Sequence, residues 1–242
     1  MSINKLKIAV VIPCYRVRSR IASVINKIDF SLINQLYIVD DCCPQNTGNF
    51  VLNNFKNKKI TVIILTKNLG VGGATMKGFE KSLKDKNKII IKIDDDGQHE
   101  PRDISRFLQP LISGKYDFCK GTRFLTSRNF FKIPKIRLFG NLALTFFTRI
   151  SSGYWHITDC LNGYFSIDSN LLKKLNLKKI KNNYFFEQDL LFNISLYKAR
   201  IKEISIKTKY YNKEKGNLNA FLVIPSFVLY HLQNFSKKFL FG

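Results

Sequence analysis

Three consecutive aspartates, Asp94, Asp95 and Asp96, follow the apolar run Ile89–Ile93. Adjacent carboxylates repel one another, so this arrangement lowers stability unless a cation or several hydrogen bonds compensate. Side chains alternate in direction along a strand, which would put Asp94 and Asp96 on one side and Asp95 on the other. We therefore predict that Asp94 and Asp96 bind a divalent metal, with Gln98 supplying an amide oxygen or holding a bound water.

The expected metal is Mg²⁺ or Mn²⁺, because both prefer oxygen ligands and often complete their coordination with substrate phosphates. Such a site at the end of a strand would hold a diphosphate. The competing interpretation is a solvated acidic turn, since Asp and Gly are common in turns.

The segments around the aspartates alternate between short apolar runs and stretches with helical spacing. We predict strands at Lys7–Ile12, Leu36–Val39, Ile60–Leu65, Ile89–Ile93, Asp117–Lys120 and Lys202–Thr208, and helices at Arg20–Ile28, Ala74–Leu83, Leu138–Ile150, Glu187–Tyr197 and from Arg102 onward. This alternation predicts an α/β fold, a Rossmann-like and mostly parallel sheet flanked by helices in a single domain. Polar residues follow several of the strands, where sheets of this class bind ligands.

The composition limits the class of protein less than the motifs do. The net charge of +23 is compatible with nucleic acid, anionic lipid or phosphorylated substrates, and equally with a general bias of the chain toward lysine. The 5 cysteines lack paired Cys-x-x-Cys spacing, which favours reduced thiols over a zinc site. Since the first predicted strand starts at Lys7, no secretory signal fits before it, and we expect a cytoplasmic protein.

The order of motifs along the chain resembles the family 2 glycosyltransferases, and among them the dolichyl- or polyprenyl-phosphate sugar transferases. The matching elements are Pro13-Cys14-Tyr15, Asp40-Asp41, the series Asn68, Gly70, Gly72, Ala74 and Gly78, and the metal motif Asp94, Asp96, Gly97, Gln98 and Pro101. The resemblance covers nearly the whole chain. It implies a GT-A fold and transfer of a sugar from a nucleotide-sugar donor, with Mg²⁺ or Mn²⁺ as cofactor.

The same resemblance assigns roles to single residues. The donor nucleotide would contact Pro13, Tyr15, Asp41, Asn68, Gly72, Asp94 and Asp95. On the acceptor side, Arg123 would face a phosphate and Asp159 would belong to an acceptor loop, although Arg123 could instead form a surface ion pair. The family's late phosphate-binding Arg-x-x-Gly-x-Ser-Lys element is replaced here by Lys213-Glu214-Lys215-Gly216-Asn217, in which Lys213 supplies charge without the bidentate geometry of arginine.

The late acidic segment Phe185-Phe186-Glu187-Gln188-Asp189 resembles the family element in which a carboxylate acts as a general base. Asp96, Glu187, Asp189 and Arg123 are the predicted catalytic residues. A lipid phosphate is already ionised near neutral pH and needs no base, so Glu187 and Asp189 could instead position the acceptor or cap a helix.

The preferred acceptor is a polyprenyl phosphate, and the alternative is a hydroxyl of a cell-surface glycan activated by Asp189. A lipid acceptor predicts peripheral attachment to a membrane surface. Two basic segments rich in Phe and Leu, Arg128–Arg149 and Phe221–Phe241, suit that role, and neither has the roughly 20 apolar residues of a membrane span. They are equally compatible with helices packed on the protein's own sheet. We therefore expect a catalytic domain over residues 1–218 and an amphipathic helical extension over residues 219–242.

Two departures from the family pattern leave other readings open. Arg16-Val17 replaces the usual Asn-Glu, and Cys42-Cys43-Pro44-Gln45 replaces Gly-Ser-x-Asp, which puts the identity of the donor in question and allows a catalytically inactive relative. A nucleic-acid-binding protein is suggested by charge alone and has no recognisable recognition motif, so no nucleic-acid partner is expected. A nicotinamide dehydrogenase is disfavoured, because the turn at Gly70-Val71-Gly72-Gly73 lacks the third glycine of Gly-x-Gly-x-x-Gly.

Overall fold

The computed structural model describes residues 6–125, 135–183, 185–208, 226–227 and 229–236. Seven strands form one sheet: β1 (Ile8–Cys14), β2 (Gln35–Asp40), β3 (Ile60–Ile64), β4 (Ile89–Lys92), β5 (Phe118–Thr122), β6 (Phe165–Asp168) and β7 (Ile201–Ser205). The helices are α1 (Arg18–Ile25), α2 (Thr47–Asn54), α3 (Gly70–Lys84), α4 (Ile104–Ile112), α5 (Lys135–Ser152), α6 (Ser169–Lys174) and α7 (Phe186–Ser195). Short 3₁₀ turns lie at Pro101–Asp103 and Leu177–Lys179, and residues 229–236 form a further helix, called here the C-terminal helix.

The strand order is β3-β2-β1-β4-β6-β5-β7. All neighbouring strands run parallel except β6, which is antiparallel to both β4 and β5. The predicted α/β fold with a mostly parallel sheet is therefore confirmed. Two apolar layers cover the two faces of the sheet, one containing α1 and α4 and the other containing α3 and α7.

The central strands are buried along their whole length, which explains why their sequences are continuous apolar runs. β1 extends past Pro13 to Cys14, two residues beyond the predicted end. Proline is tolerated there because the paired part of β4 has already ended, at Lys92 opposite Val11. β1 continues against β2 alone, with Pro13 beside Val39.

Candidate active site

A cleft of about 360 Å³ opens where β1, β2 and β4 end, at the carboxyl edge of the sheet. Its walls are Pro13, Cys14, Tyr15, Asp41, Asn68, Gly70, Val71, Ala74, Asp94 and Asp95. The structure thus gathers Pro13, Tyr15, Asp41, Asn68, Asp94 and Asp95, six of the seven residues predicted to contact the donor, around one space. Their roles as donor contacts stay predictions.

Asp41 shapes one wall by capping the first turn of α3. Its carboxylate accepts hydrogen bonds from the backbone N–H groups of Leu69 at 2.7 Å and Gly70 at 2.8 Å, and Asn68 donates from its side-chain amide to the Asp41 carbonyl at 3.2 Å. Burial raises the pKa of Asp41 above its usual value, although both backbone donors oppose this. The neighbouring Asp40 accepts instead from the N–H of Cys43 at 2.6 Å and from the N–H of Gly48, in the first turn of α2, at 2.5 Å.

The three aspartates of the acidic motif have different partners in the protein. Asp94 is paired with the ammonium of Lys92, Asp95 accepts from the backbone N–H of Tyr15 at 3.0 Å, and Asp96 accepts from the backbone N–H of Gln98 at 2.9 Å. β4 ends at Lys92, so strand alternation no longer governs these side chains. As a result, Asp94 and Asp95 line the cleft, whereas the sequence reasoning grouped Asp94 with Asp96.

The electrostatics of the motif show a surplus of negative charge. Burial raises the pKa of Asp95 to about 8, the Tyr15 N–H opposes the rise, and Asp94 and Asp96 add to it. For Asp94, burial also favours the neutral form, but Lys92, His99 and Lys120 together outweigh burial and lower its pKa. A cation near Asp95 and Asp96 would relieve this repulsion.

The chemistry of these donors fits Mg²⁺ or Mn²⁺, since Asp94, Asp96 and Gln98 can each offer an oxygen atom to a hard cation. Within the described part of the chain, no group of three or more His, Cys, Asp or Glu side chains encloses a cation by itself. Divalent cations of this kind often complete their coordination with substrate phosphates.

Two buried lysines, which sequence reasoning missed, lie beneath the motif. The side chain of Lys92 is 0% exposed and its ammonium lies between Asp94 and Glu187, 3.6 Å from Glu187 Oε1. Lys120 is also buried and donates to the carbonyl of Asn162 at 2.6 Å. Each lysine lies within a mostly apolar strand, Ile89–Lys92 or Phe118–Thr122. Because an interior strand rarely carries an unpaired charge, this placement could have indicated a buried partner for each lysine.

Arg123 and Asp159, both predicted on the acceptor side, are partners of each other. Arg123 donates through Nε at 2.7 Å and Nη2 at 2.8 Å to the two carboxylate oxygens of Asp159. Burial would raise the pKa of Asp159, but Arg123 and Lys120 together outweigh burial and lower the pKa. Glu203 supports the pair from β7 by accepting the N–H of Thr158 at 2.7 Å and of Asp159 at 3.2 Å. The Arg123 side chain is only 12% exposed, so this ion pair is largely buried and is not a solvent-exposed surface pair.

The late acidic segment forms the first turn of α7. Glu187 is buried beside Lys92, and burial raises its pKa. Asp189 accepts from the backbone N–H of Lys181 at 2.7 Å and from the hydroxyl of Tyr230 on the C-terminal helix. Neither carboxylate lines the cleft described above. Lys213 lies outside the described residues, so its predicted phosphate contact stays a prediction.

The glycines that open α3 approach protein backbone. A Cβ at Gly72 would lie 2.5 Å from the carbonyl oxygen of Lys181, and the Gly72 N–H donates to the Asn182 carbonyl at 3.0 Å. Gly72 was predicted to contact the donor nucleotide, and that role stays a prediction. The structure places segment 181–183 directly against this turn, and the helix begins at Gly70, four residues before the predicted start.

Apolar side chains face solvent on α5 and on the C-terminal helix. Phe139, Leu142 and Phe146 are exposed on α5, and Leu229, Leu232 and Phe235 are exposed on the C-terminal helix. No described helix is long and apolar enough to cross a bilayer.

Comparison with known proteins agrees with the geometry. Residues 9–175 match the model of the family described as Glycosyl transferase family 2. The UDP-N-acetylglucosamine–dolichyl-phosphate N-acetylglucosaminyltransferase of Methanococcus voltae is 31% identical over 86% of this chain and 89% of the relative. The undecaprenyl-phosphate mannosyltransferase of Micrococcus luteus is 24% identical over 83% of each chain.

A similar fold is found in the glucosyl-3-phosphoglycerate synthase of Mycobacterium tuberculosis crystallised with Mg²⁺ and UDP. The TM-score is 0.72, with 17% identity, over 96% of this chain and 83% of that one. The shared architecture is the GT-A fold. Because the family model matches more than half of the chain and the motif residues gather at one edge of the sheet, this protein belongs to glycosyl transferase family 2 and is a glycosyltransferase.

Proposed function

We propose that this protein transfers a sugar from a nucleotide sugar to a polyprenyl phosphate, with Mg²⁺ or Mn²⁺ as cofactor. The observation that carries the proposal is the cleft in which Asp94 and Asp95 face Asp41 and Tyr15 across the ends of β1, β2 and β4. The names of the relatives from Methanococcus voltae and Micrococcus luteus, both acting on polyprenyl-type phosphates, support the acceptor class.

In the proposed reaction, a phosphate oxygen of the acceptor attacks the anomeric carbon of the donor sugar. The bond between that carbon and the nucleoside diphosphate breaks, and the diphosphate leaves with the bonding electrons. When bound, the divalent cation would neutralise the charge that develops on the leaving diphosphate. Asp94, Asp96 and Gln98 would hold the cation, and the capped first turn of α3 would form the wall beside the nucleotide.

An ionised phosphate acceptor also suits the protonation chemistry of the site. Asp189 accepts hydrogen bonds from the Lys181 N–H and the Tyr230 hydroxyl, and Glu187 is buried beside Lys92. A phosphate oxygen requires no general base, so these carboxylates can hold the structure while the reaction proceeds. A glycan hydroxyl would need one of them to accept a proton, and this alternative is distinguished by experiment below.

We propose further that the protein works at the cytoplasmic face of a membrane, attached peripherally. The acceptor must be met at the bilayer surface, and the exposed apolar side chains of α5 and the C-terminal helix supply a contact with lipid. The net charge of +23 complements anionic headgroups.

The test is nucleotide release from UDP- and GDP-sugars in the presence of Mn²⁺, Mg²⁺ or chelator, with and without a short polyprenyl phosphate. We expect release that requires metal, rises with the lipid and survives Asp189→Asn. Release indifferent to the lipid and abolished by Asp189→Asn would assign a hydroxyl acceptor instead. No release from any donor would refute the transferase proposal for this chain.

A further inference from the structure

Segment 181–183 forms the outer side of the wall that encloses the donor cleft. The Gly72 N–H donates to the Asn182 carbonyl at 3.0 Å, and a Cβ at Gly70 would lie 2.7 Å from the same oxygen. Gly70, Val71 and Ala74 line the cleft from the other side of this turn. Because the first turn of α3 packs this closely against segment 181–183, the position of the segment determines the position of the cleft wall.

Asp189 fixes segment 181–183 in turn. Its Oδ2 accepts the backbone N–H of Lys181 at 2.7 Å, and the first turn of α7 is tied to the same segment by the N–H of Phe186, which donates to the Asn183 carbonyl at 3.0 Å. The Asp189 side chain is buried, so its orientation depends on protein groups and not on water.

Tyr230 of the C-terminal helix is one of those groups, since its hydroxyl donates to Asp189 Oδ1. Contacts with neighbouring residues hold the C-terminal helix in place. The rings of Phe185 and Phe227 lie 4.2 Å apart between centroids, and His231 Nδ1 is 2.8 Å from Ser151 Oγ on α5. A continuous chain of contacts therefore runs from the C-terminal helix to the donor cleft.

We propose that Tyr230 is a positioning residue for the donor: through Asp189 and segment 181–183 it holds the first turn of α3 in the shape that the donor nucleotide requires. This inference rests on the proposed function for the identity of the ligand, and on geometry alone for the coupling. Asp189 then serves to position the donor. The C-terminal helix acts on the donor cleft indirectly, since none of its described residues lines the cleft.

Tyr230→Phe tests the inference because it removes one hydroxyl and keeps the ring. We expect the KM for the nucleotide sugar, and the Kd for UDP with Mn²⁺ measured by calorimetry, to rise about three- to tenfold, within the range of the net contribution of one hydrogen bond. The kcat and the KM for the lipid acceptor should stay within about twofold. Combining Tyr230→Phe with Asp189→Asn should add little, because both changes interrupt the same chain.

Tyr197→Phe is the matched control. Its hydroxyl donates to the Lys174 carbonyl at 2.7 Å, away from the chain of contacts, so all constants should stay at the wild-type value. A loss of kcat or of acceptor affinity in Tyr230→Phe, with UDP affinity unchanged, would overturn the inference and assign Asp189 to the acceptor. Unchanged constants throughout would show that the hydrogen bond only supports the fold.

Hydrogen exchange separates the coupling from the reaction. The Gly72 amide is a first-turn helix donor whose protection comes from Asn182, so Tyr230→Phe should speed its exchange about three- to tenfold while Tyr197→Phe leaves it unchanged. This readout needs no substrate. If wild-type protein turned over no donor but Gly72 exchange still responded to Tyr230→Phe, the proposed function would fail and the coupling would stand. Unchanged Gly72 exchange would refute the coupling.

Discussion

At the scale of single residues, the arrangement of the acidic motif depends on the lysine beneath it. Lys92 neutralises Asp94 from the buried side, while burial and the neighbouring carboxylates Asp94 and Asp96 raise the pKa of Asp95 to about 8. The aspartates therefore differ in their electrostatic surroundings. This difference also explains why replacing one of them should affect metal binding more than stability.

Asp96→Asn should lower kcat/KM by on the order of 100-fold or more, because it removes one carboxylate of the predicted metal site and with it stabilisation of the leaving diphosphate. The apparent affinity for Mn²⁺ should fall in parallel. Steady-state assays over a Mn²⁺ titration measure both. Asp103→Asn is the control, since Asp103 pairs with Arg106 at 3.0 Å on α4 and should leave kcat/KM and the Mn²⁺ response unchanged.

Gly163 lies where Asp94 and Lys92 need space. A Cβ there would overlap Asp94 Oδ2 and lie 2.5 Å from Lys92 Nζ, so Gly163→Ala must displace the ion pair. We expect a reduction in kcat/KM of at least tenfold and a lower Tm, since overpacking a buried site typically costs about 1–3 kcal/mol. Gly140→Ala, where a Cβ meets nothing within 4 Å, should keep full activity and raise stability by up to about 1 kcal/mol. Equal effects of the two substitutions would contradict this account.

At the scale of elements, the sequence predicted those parts of the fold whose hydrophobic pattern is strong and local. The strands β1 to β4 and the helices α1, α3, α5 and α7 were found to within a few residues. β6 and α6, by contrast, share the short stretch Phe165–Lys174, in which neither period has room to show. α2 was missed because it begins after Asn46, which has a left-handed backbone with φ of 52° and lies in a segment of turn-forming residues.

In the candidate site, too, the residues in local motifs were predicted and the contacts made by tertiary packing were not. Residues attached to strand ends were found because the motif order places them there, and the cleft contains six of the seven predicted donor contacts. The pairing of Arg123 with Asp159, and the contact of Asp189 with Tyr230, join residues 36 and 41 positions apart and depend on tertiary packing. No local pattern in the sequence encodes such distances.

The replacement of the family's usual asparagine by Arg16 has a structural correlate. The φ of Arg16 is 60°, a conformation that asparagine adopts more readily than arginine.

The C-terminal helix should be sensitive to acid through His231. Burial lowers the pKa of His231 to about 4, from an ordinary value of 6.5. The neutral imidazole therefore contributes stability that is fully present above about pH 6.5 and is lost as the pH falls toward 4, by at most about 3 kcal/mol. We expect amides of residues 229–236 to exchange faster at pH 5 than at pH 7 after correction for intrinsic rates. The difference should shrink in His231→Gln, and a pH response that persists undiminished in this variant would assign the effect to another group.

At the scale of the whole molecule, charge and exposed apolar surface point to the same environment. α5 carries buried side chains on one face, yet Phe139, Leu142 and Phe146 at helical spacing are exposed on the other, and Phe139 is 78% exposed. An exposed apolar stripe of this kind is unfavourable in water and favourable at a lipid interface. The net charge of +23 would bring such a surface to an anionic bilayer and would be screened by salt.

Vesicle binding should therefore depend on both features. Wild-type protein should co-sediment with vesicles containing anionic lipid and bind less as salt is raised, because screening weakens the electrostatic part of the attraction. Phe139→Ser combined with Phe146→Ser should weaken binding by on the order of tenfold or more, since burial of each ring in the interface contributes more than about 1 kcal/mol. The control is Leu52→Ser on α2, where the side chain is 48% exposed on a different helix and should not affect vesicle binding. If the double variant bound vesicles as wild type does, while UDP binding showed it to be folded, then lipid attachment would have to come from another part of the chain, and the outer face of α5 would lose its proposed role.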